Sequence, residues 1–362
     1  MLLILWGVLI VLGLLFRKSR VLTAITMGFI ITAVGFRTQG ADYIAYSLEY
    51  EWSLYQKPTE VQYAGYLLIE KLAHHLGFSF QNYVLAVAII SGVLFYVGLR
   101  QLTPNVNFAL SIFLVYPFGH EMIQMRTFMA DAVMISILPV ILRSDKTNLK
   151  SKLGKTAAVL IVGLIASSIH FEAIFCMIFL TASIWINSGT SRKVLPAITV
   201  VMLGLAIGNV FPLLLNRFNA RIAYWLSSKA SIGMIVPILI TLYIWWMENI
   251  ASKKAIALSH DLKSKIFYKN CCVFGQYIVL MVPFFIYDMT FNRVWRVFLV
   301  LMYAVISRTV TKETHKEVKG IRNTQFVLLV VLVAVLFIYE NEFSIVNNAF
   351  ANNALFTRYS II

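Results

Sequence analysis

Four clusters along the chain combine residue types that could do chemistry. The first, Gly40-Ala41-Asp42-Tyr43-Ile44-Ala45-Tyr46-Ser47-Leu48-Glu49-Tyr50, sets Asp42, Tyr46 and Tyr50 at i, i+4 and i+8. Wound as a helix it presents a carboxylate and two phenols on one face, a surface suited to sugar hydroxyls, with Asp42 able to act as a base. The plainer reading is a belt of interfacial tyrosines with Asp42 capping a helix. The second cluster is His120-Glu121-Met122-Ile123-Gln124-Met125-Arg126, with Asp131 further on and Pro117 and Gly119 breaking the chain before it. The planar fork of Arg126 matches a phosphate or diphosphate, unless it simply pairs with Glu121. Asp131 reads as the neutraliser of a neighbouring base.

The third cluster is Ser167-Ser168-Ile169-His170-Phe171-Glu172-Ala173, a hairpin so tight that His170 and Glu172 are expected at the surface on its side. A histidine beside a carboxylate can move a proton or orient a phosphate, or serve only as a helix-end strut. The fourth consists of arginines: Arg217 and Arg221 beside Tyr224, and Arg293 and Arg296 after Asp288. They can hold a lipid diphosphate, or snorkel to phospholipid headgroups. His74 and His75 are adjacent and the other histidines scattered, so no zinc spacing is present. A phosphate-cradling glycine loop, a G-x-S-x-G elbow and an HExxH helix are also missing from the sequence. No metal or other cofactor is called for.

These clusters must be held by membrane helices. Of 362 residues, 60% are hydrophobic and only 13% charged, about half the charge of a soluble protein. That excludes a soluble enzyme, a disordered tail and a nucleic-acid-binding domain. Apolar runs fall at 2–16, 21–36, 82–99, 106–119, 127–142, 156–169, 171–187, 194–215, 230–247, 270–287, 294–307 and 323–340. The expected fold is therefore all-α, a single polytopic membrane domain over 1–362 with about 12 transmembrane helices. The first run lacks a small-residue cleavage signal and reads as a retained anchor. Cys176, Cys271 and Cys272 lie in apolar runs, which leaves no disulfide framework.

The net charge of +15 is distributed unevenly. With alternating loops, one side collects +16 and the other −1. The positive-inside rule then places both termini outside, and the basic charge faces anionic lipid. Glu248 is counted with the inner loops in this scheme. All four clusters fall toward the outer side. That side also carries a long segment, 37–81, too polar to span, and a tail, 341–362, of similar character. Tyr63, Tyr66, Leu67, Ile69, Glu70, Leu72 and Ala73 suggest an interfacial amphipathic helix within the former. No internal repeat or inverted pair of broken helices is evident, which weighs against a secondary transporter.

In order and topology these motifs resemble the EpsG family of bacterial exopolysaccharide proteins, grouped with Wzy-type polymerases. The likeness runs over roughly 35–310 and rests on Gly40, Asp42, Tyr46 and Tyr50, then Glu60 and Glu70 in an amphipathic helix. It continues with Arg126 and Ala130, Ile169-His170 with Ala173, and Phe291-Asn292-Arg293. Where the family often has Arg-Gln, this chain has Arg126-Thr127, and Gln124 is the candidate substitute for that side chain.

The resemblance implies a glycosyltransferase of the bacterial cytoplasmic membrane that polymerises undecaprenyl-diphosphate-linked oligosaccharide repeat units, as for a capsule or O-antigen, on the outer face. Arg126, Arg217, Arg221, Arg293 and Arg296 would hold the leaving diphosphate. Asp42, His170 or Glu172 would activate the acceptor hydroxyl, and Tyr46, Tyr50, Glu70 and Gln124 would bind sugar. A flippase and a chain-length regulator of the same pathway are the expected neighbours. Rival readings are an O-antigen-type ligase, a polyprenyl-phosphate-sugar glycosyltransferase, a transporter of the same lipid, and a silent scaffold subunit.

Overall fold

The computed structural model describes residues 1–39, 42–59, 63–143, 148–186, 188–208, 210, 235–257, 259, 261–310 and 316–357. Gly40, Glu60, Arg217 and Arg221 lie outside the described residues, as does Tyr224. Helices account for nearly all regular structure and no strand is formed among the described residues; an isolated antiparallel bridge joins Arg37 to Asn353. In chain order the first helices are α1 (Leu2–Leu15), α2 (Arg20–Gly35), α3 (Tyr43–Trp52), α4 (Ala64–His75), α5 (Phe80–Leu102) and α6 (Val106–Val115). Next come α7 (Phe118–Ile123), α8 (Met125–Leu142), α9 (Leu149–Ile169), α10 (Ala173–Trp185) and α11 (Ser188–Ile207). The remainder are α12 (Ile235–Ala257), α13 (Leu262–Gln276), α14 (Trp295–Val310), α15 (Lys316–Tyr339), α16 (Glu342–Ala351) and α17 (Ala354–Thr357). Two 3-10 stretches, Tyr277–Ile286 and Met289–Val294, link α13 to α14.

Each of the twelve apolar runs contains helix. Among the described residues six helices are long and apolar enough to cross a membrane, or seven if the pair Gln325–Tyr339 and Glu342–Ala351, bent by 62°, counts as one span. The rest of the expected spans are shorter apolar helices of 10–17 residues. Glu248, assigned to a loop by the sequence, lies inside α12 and is buried. The helix runs ten residues beyond its apolar stretch because Ala251, Ser252 and Ala255 continue the buried face.

The chain forms two compact units. The first comprises Met1–Pro139, Ala158–Met177 and Tyr303–Ile362. Its helices approach closely where small residues allow it, as is usual between apolar helices. Gly13 of α1 lies on Asn107 and Ser111 of α6, Gly35 and Gly92 join α2 to α5, and Gly98 of α5 lies on the Ile135 backbone of α8. Polar struts fix the ends: Asn107 donates to Phe16 O at 2.7 Å and accepts from Thr23 Oγ1 at 2.6 Å, and Asn105 donates to Ser307 O at 2.9 Å.

In this unit α3 and α4 invert the usual amphipathic pattern. They bury Tyr46, Tyr50, Tyr66 and Glu70, and expose Ile44, Leu48, Trp52, Leu68 and Leu72. The helix expected around Tyr66–Ala73 is thus present as α4, and its polar groups point into the protein. The second unit comprises Val140–Ala157 and Ile178–Met302. Trp295 donates to Thr241 Oγ1 at 2.9 Å, Tyr287 to Ala206 O at 2.7 Å, and Phe274 stacks on Phe298 at 4.6 Å.

Candidate functional site

The first unit converges on Arg126. Gln124 separates α7 from α8, and Phe128 N donates to its carbonyl, so Arg126 stands in the first turn of α8. Its guanidinium carbon lies over three tyrosine rings: Tyr46 at 4.6 Å, Tyr63 at 4.7 Å and Tyr66 at 5.2 Å. Each such contact contributes about 0.5 to 2 kcal/mol, more as the cation is desolvated. Arg126 also donates to the Tyr46 hydroxyl oxygen. Its remaining face meets Glu49 of α3, with Nη1 to Oε2 at 2.9 Å. The carboxylate there is 43% exposed and the arginine 15%, so Glu49 is the open side of an otherwise aromatic cage. The sequence offered Glu121 as the alternative partner of Arg126; the ion pair is with Glu49, 77 residues away in the chain.

Glu70 of α4 is buried beneath the cage. Burial, and then the like charge of Glu49, push its carboxyl up to about 8, with Arg126 opposing. A carboxyl whose folded value exceeds its unfolded one holds its proton longer in the folded state. Its contribution to stability is therefore complete below about 4.5 and is lost as pH rises through about 8. Thermal unfolding in detergent should show a melting temperature that declines across this window. Glu70→Gln should remove the decline, and an identical pH slope in the variant would refute the assignment. Burial likewise raises the Tyr46 and Tyr66 phenols above the usual range, so both hydroxyls keep their protons and can donate to an anion.

The cage extends to the third cluster. Gly65 of α4 leaves room for Ser168 near the end of α9, which brings Tyr63 onto His170 with rings 5.4 Å apart and nearly parallel. His170 Nδ1 lies 3.2 Å from Glu172 Oε2. Both side chains are buried within the protein, although the hairpin was expected to hold them at the surface; the overlying Tyr63 accounts for this. Asp42 precedes α3, is partly buried, and interacts electrostatically with Arg37 and Tyr46. Tyr50 faces elsewhere on α3: it stacks on His74 at 3.9 Å and Tyr83 at 5.0 Å, and its hydroxyl donates to Phe78 O at 2.7 Å. It is a strut between α3, α4 and α5.

Arg293 is partly buried and Arg296 buried in the second unit. Sequence reading had missed several residues of the cage. Glu49 sits three positions after Tyr46, and Tyr66 four before Glu70, so helical spacing carried a signal for both. Arg37 carried none: it is almost wholly buried, donates to Met122 O at 2.6 Å and faces Tyr46 and Tyr66 electrostatically. Among the described residues no group of three or more His, Cys, Asp or Glu is arranged to hold a metal ion.

Fold and site together define an all-helical membrane protein with a half-buried, tyrosine-walled arginine. The EpsG family model matches residues 20–359, and the chain belongs to the EpsG family. Neither the curated proteins nor the solved structures searched gave a match.

Proposed function

We propose that this protein is a polysaccharide polymerase of the bacterial cytoplasmic membrane, acting on undecaprenyl-diphosphate-linked oligosaccharide repeat units at the outer face. The observation that carries the reading is the Arg126 cage, in a chain of the EpsG family. A growing glycan leaves its lipid diphosphate and passes to a hydroxyl of the next lipid-linked unit. The bond from the sugar's anomeric carbon to the phosphate oxygen breaks, and its electron pair stays on the diphosphate. Developing negative charge on that oxygen is the main electrostatic demand of the step. Arg126 answers it, with the protonated Tyr46 and Tyr66 as donors beside it. In this reading Glu49 holds the anion position until the diphosphate displaces it.

The acceptor hydroxyl must lose a proton, for which Asp42 and the His170–Glu172 pair are the sequence-derived candidates. Arg293, Arg296, Arg217 and Arg221 are further anion ligands in the proposal, with Gln124 and Glu70 toward the sugar. No cofactor enters it, and a flippase and a chain-length regulator are its expected partners.

The test is purified protein in liposomes with a lipid-diphosphate-linked repeat unit, chelator present, and a gel. The proposal expects a ladder of regular spacing. Unchanged single repeats, with the lipid found on the opposite leaflet, would make the protein a transporter and end the polymerase reading.

A further inference from the structure

A second histidine of the first unit has the better geometry for proton transfer. His120 of α7 places Nδ1 2.5 Å from Glu342 Oε2 at the start of α16. The same carboxylate accepts from Gly119 N through its other oxygen, so it is held at both atoms. Glu342 is fully buried. On the other side of the ring, Nε2 faces Glu340 Oε2 at 3.3 Å, and both side chains keep 11% exposure. That separation exceeds a close charge-assisted bond and is readily exchanged for a hydroxyl. Asn341, between the two glutamates, takes a left-handed conformation with φ 53°, at the 62° bend joining α15 to α16. The bend delivers both carboxylates to one imidazole.

We propose that His120, oriented by Glu342, is the base that takes the proton of the acceptor hydroxyl. This rests on the polymerase reading and names the residue that reading left open. A buried carboxylate on Nδ1 holds a proton on that nitrogen and stabilises the imidazolium that forms, and Nε2 becomes the acceptor when the hydroxyl takes the place of Glu340 beside it. The acceptor O–H proton passes to Nε2 while its oxygen bonds the anomeric carbon of the donor. The departing diphosphate oxygen takes the electron pair of the broken bond at Arg126, and His120 later releases its proton to water. Arg126 lies six positions after His120, so even a fully extended chain holds their Cα atoms within about 22 Å. Arg37, donating to Met122 O, pins the segment between them. By contrast, His170 and Glu172 are two positions apart at 3.2 Å and capped by Tyr63.

The liposome ladder assay with the lipid-diphosphate-linked repeat unit separates the outcomes. His120→Ala should lower kcat by about 10²- to 10⁴-fold with KM little changed, and added imidazole should restore part of the rate. Glu342→Gln, which keeps an acceptor for Gly119 N, should lose kcat in the same sense. Should His120→Ala no longer bind the repeat unit, His120→Gln is read by the same split of kcat from KM. Wild-type turnover in the histidine variants, a loss confined to KM, or a loss that imidazole leaves untouched overturns the assignment of His120 alone. A wild-type protein that makes no ladder overturns the polymerase reading, and the base with it.

Discussion

Under the proposed polymerase function, replacing Arg126 by alanine should abolish chain extension, with single repeat units accumulating and the rate falling by about 10³-fold or more, as for loss of an arginine that meets transition-state charge in phosphoryl transfer. Arg126→Lys is the more informative variant. It keeps the charge, so a site needing only a positive point would tolerate it. The cage does not fit that description, because three ring faces lie 4.6–5.2 Å from one planar group while its edge reaches Glu49. A compact ammonium cannot cover three rings and bind a diphosphate through two parallel bonds. Lysine is therefore expected to recover less than about a tenth of the lost rate, and its protein should still accumulate in the membrane. Full activity in Arg126→Lys would show that the rings only pack, and that a diphosphate is not held there by a fork. Ladder spacing and kcat/KM for the lipid-linked unit are the quantities to record.

Gly98→Ala is expected to have the largest effect on the fold itself. A methyl group at Gly98 would stand 2.5 Å from Ile135 O and 2.7 Å from its carbonyl carbon. These are backbone atoms of α8, so no rotamer change can relieve the clash and the two helices must separate. Overpacking of this kind costs typically 1–3 kcal/mol, and the upper end is expected where only backbone can yield. Because Arg126 stands in the first turn of α8 and α5 carries Tyr83 against Tyr66, the shift should also loosen the cage. Thermal unfolding of the purified protein should show the loss. Gly28→Ala, inside α2 with nothing within 4 Å of the added carbon, is the control and should leave the melting temperature unchanged or slightly raised, since alanine is the better helix former. Equal stability of the two variants would show that α5 and α8 have slack at this crossing.

The helical fold was legible because apolar runs bounded by charge have few alternatives in a chain so poor in polar residues. Parts of the site were legible for a related reason: the tyrosine-rich spacing singled out Tyr46, though not that Tyr50 serves as a strut, and Arg126 stands at a marked break. Spacing says nothing, however, about which element packs on which. The sequence therefore offered Glu121 as the alternative partner of Arg126, where the fold puts Glu49, and it read His120 without the glutamates 220 and 222 positions later. Glu248 was misplaced for the opposite reason, since a lone carboxylate was taken to end an apolar run that α12 carries through it. No spacing marked Arg37, and only the tertiary structure shows it inside the protein.

The backbone pairing around Arg37 bears on the order of synthesis. Thr38 N donates to Asn352 O at 3.0 Å and Ala354 N donates to Phe36 O at 2.8 Å, joining segments more than 300 residues apart. A ribosome adding about 5–20 residues per second makes the second segment tens of seconds after the first. For most of that interval every tyrosine of the cage exists, yet the strap across Arg37 does not. A nascent chain halted before residue 352 thus carries the whole Arg126 cluster without the latch that closes over its neighbour.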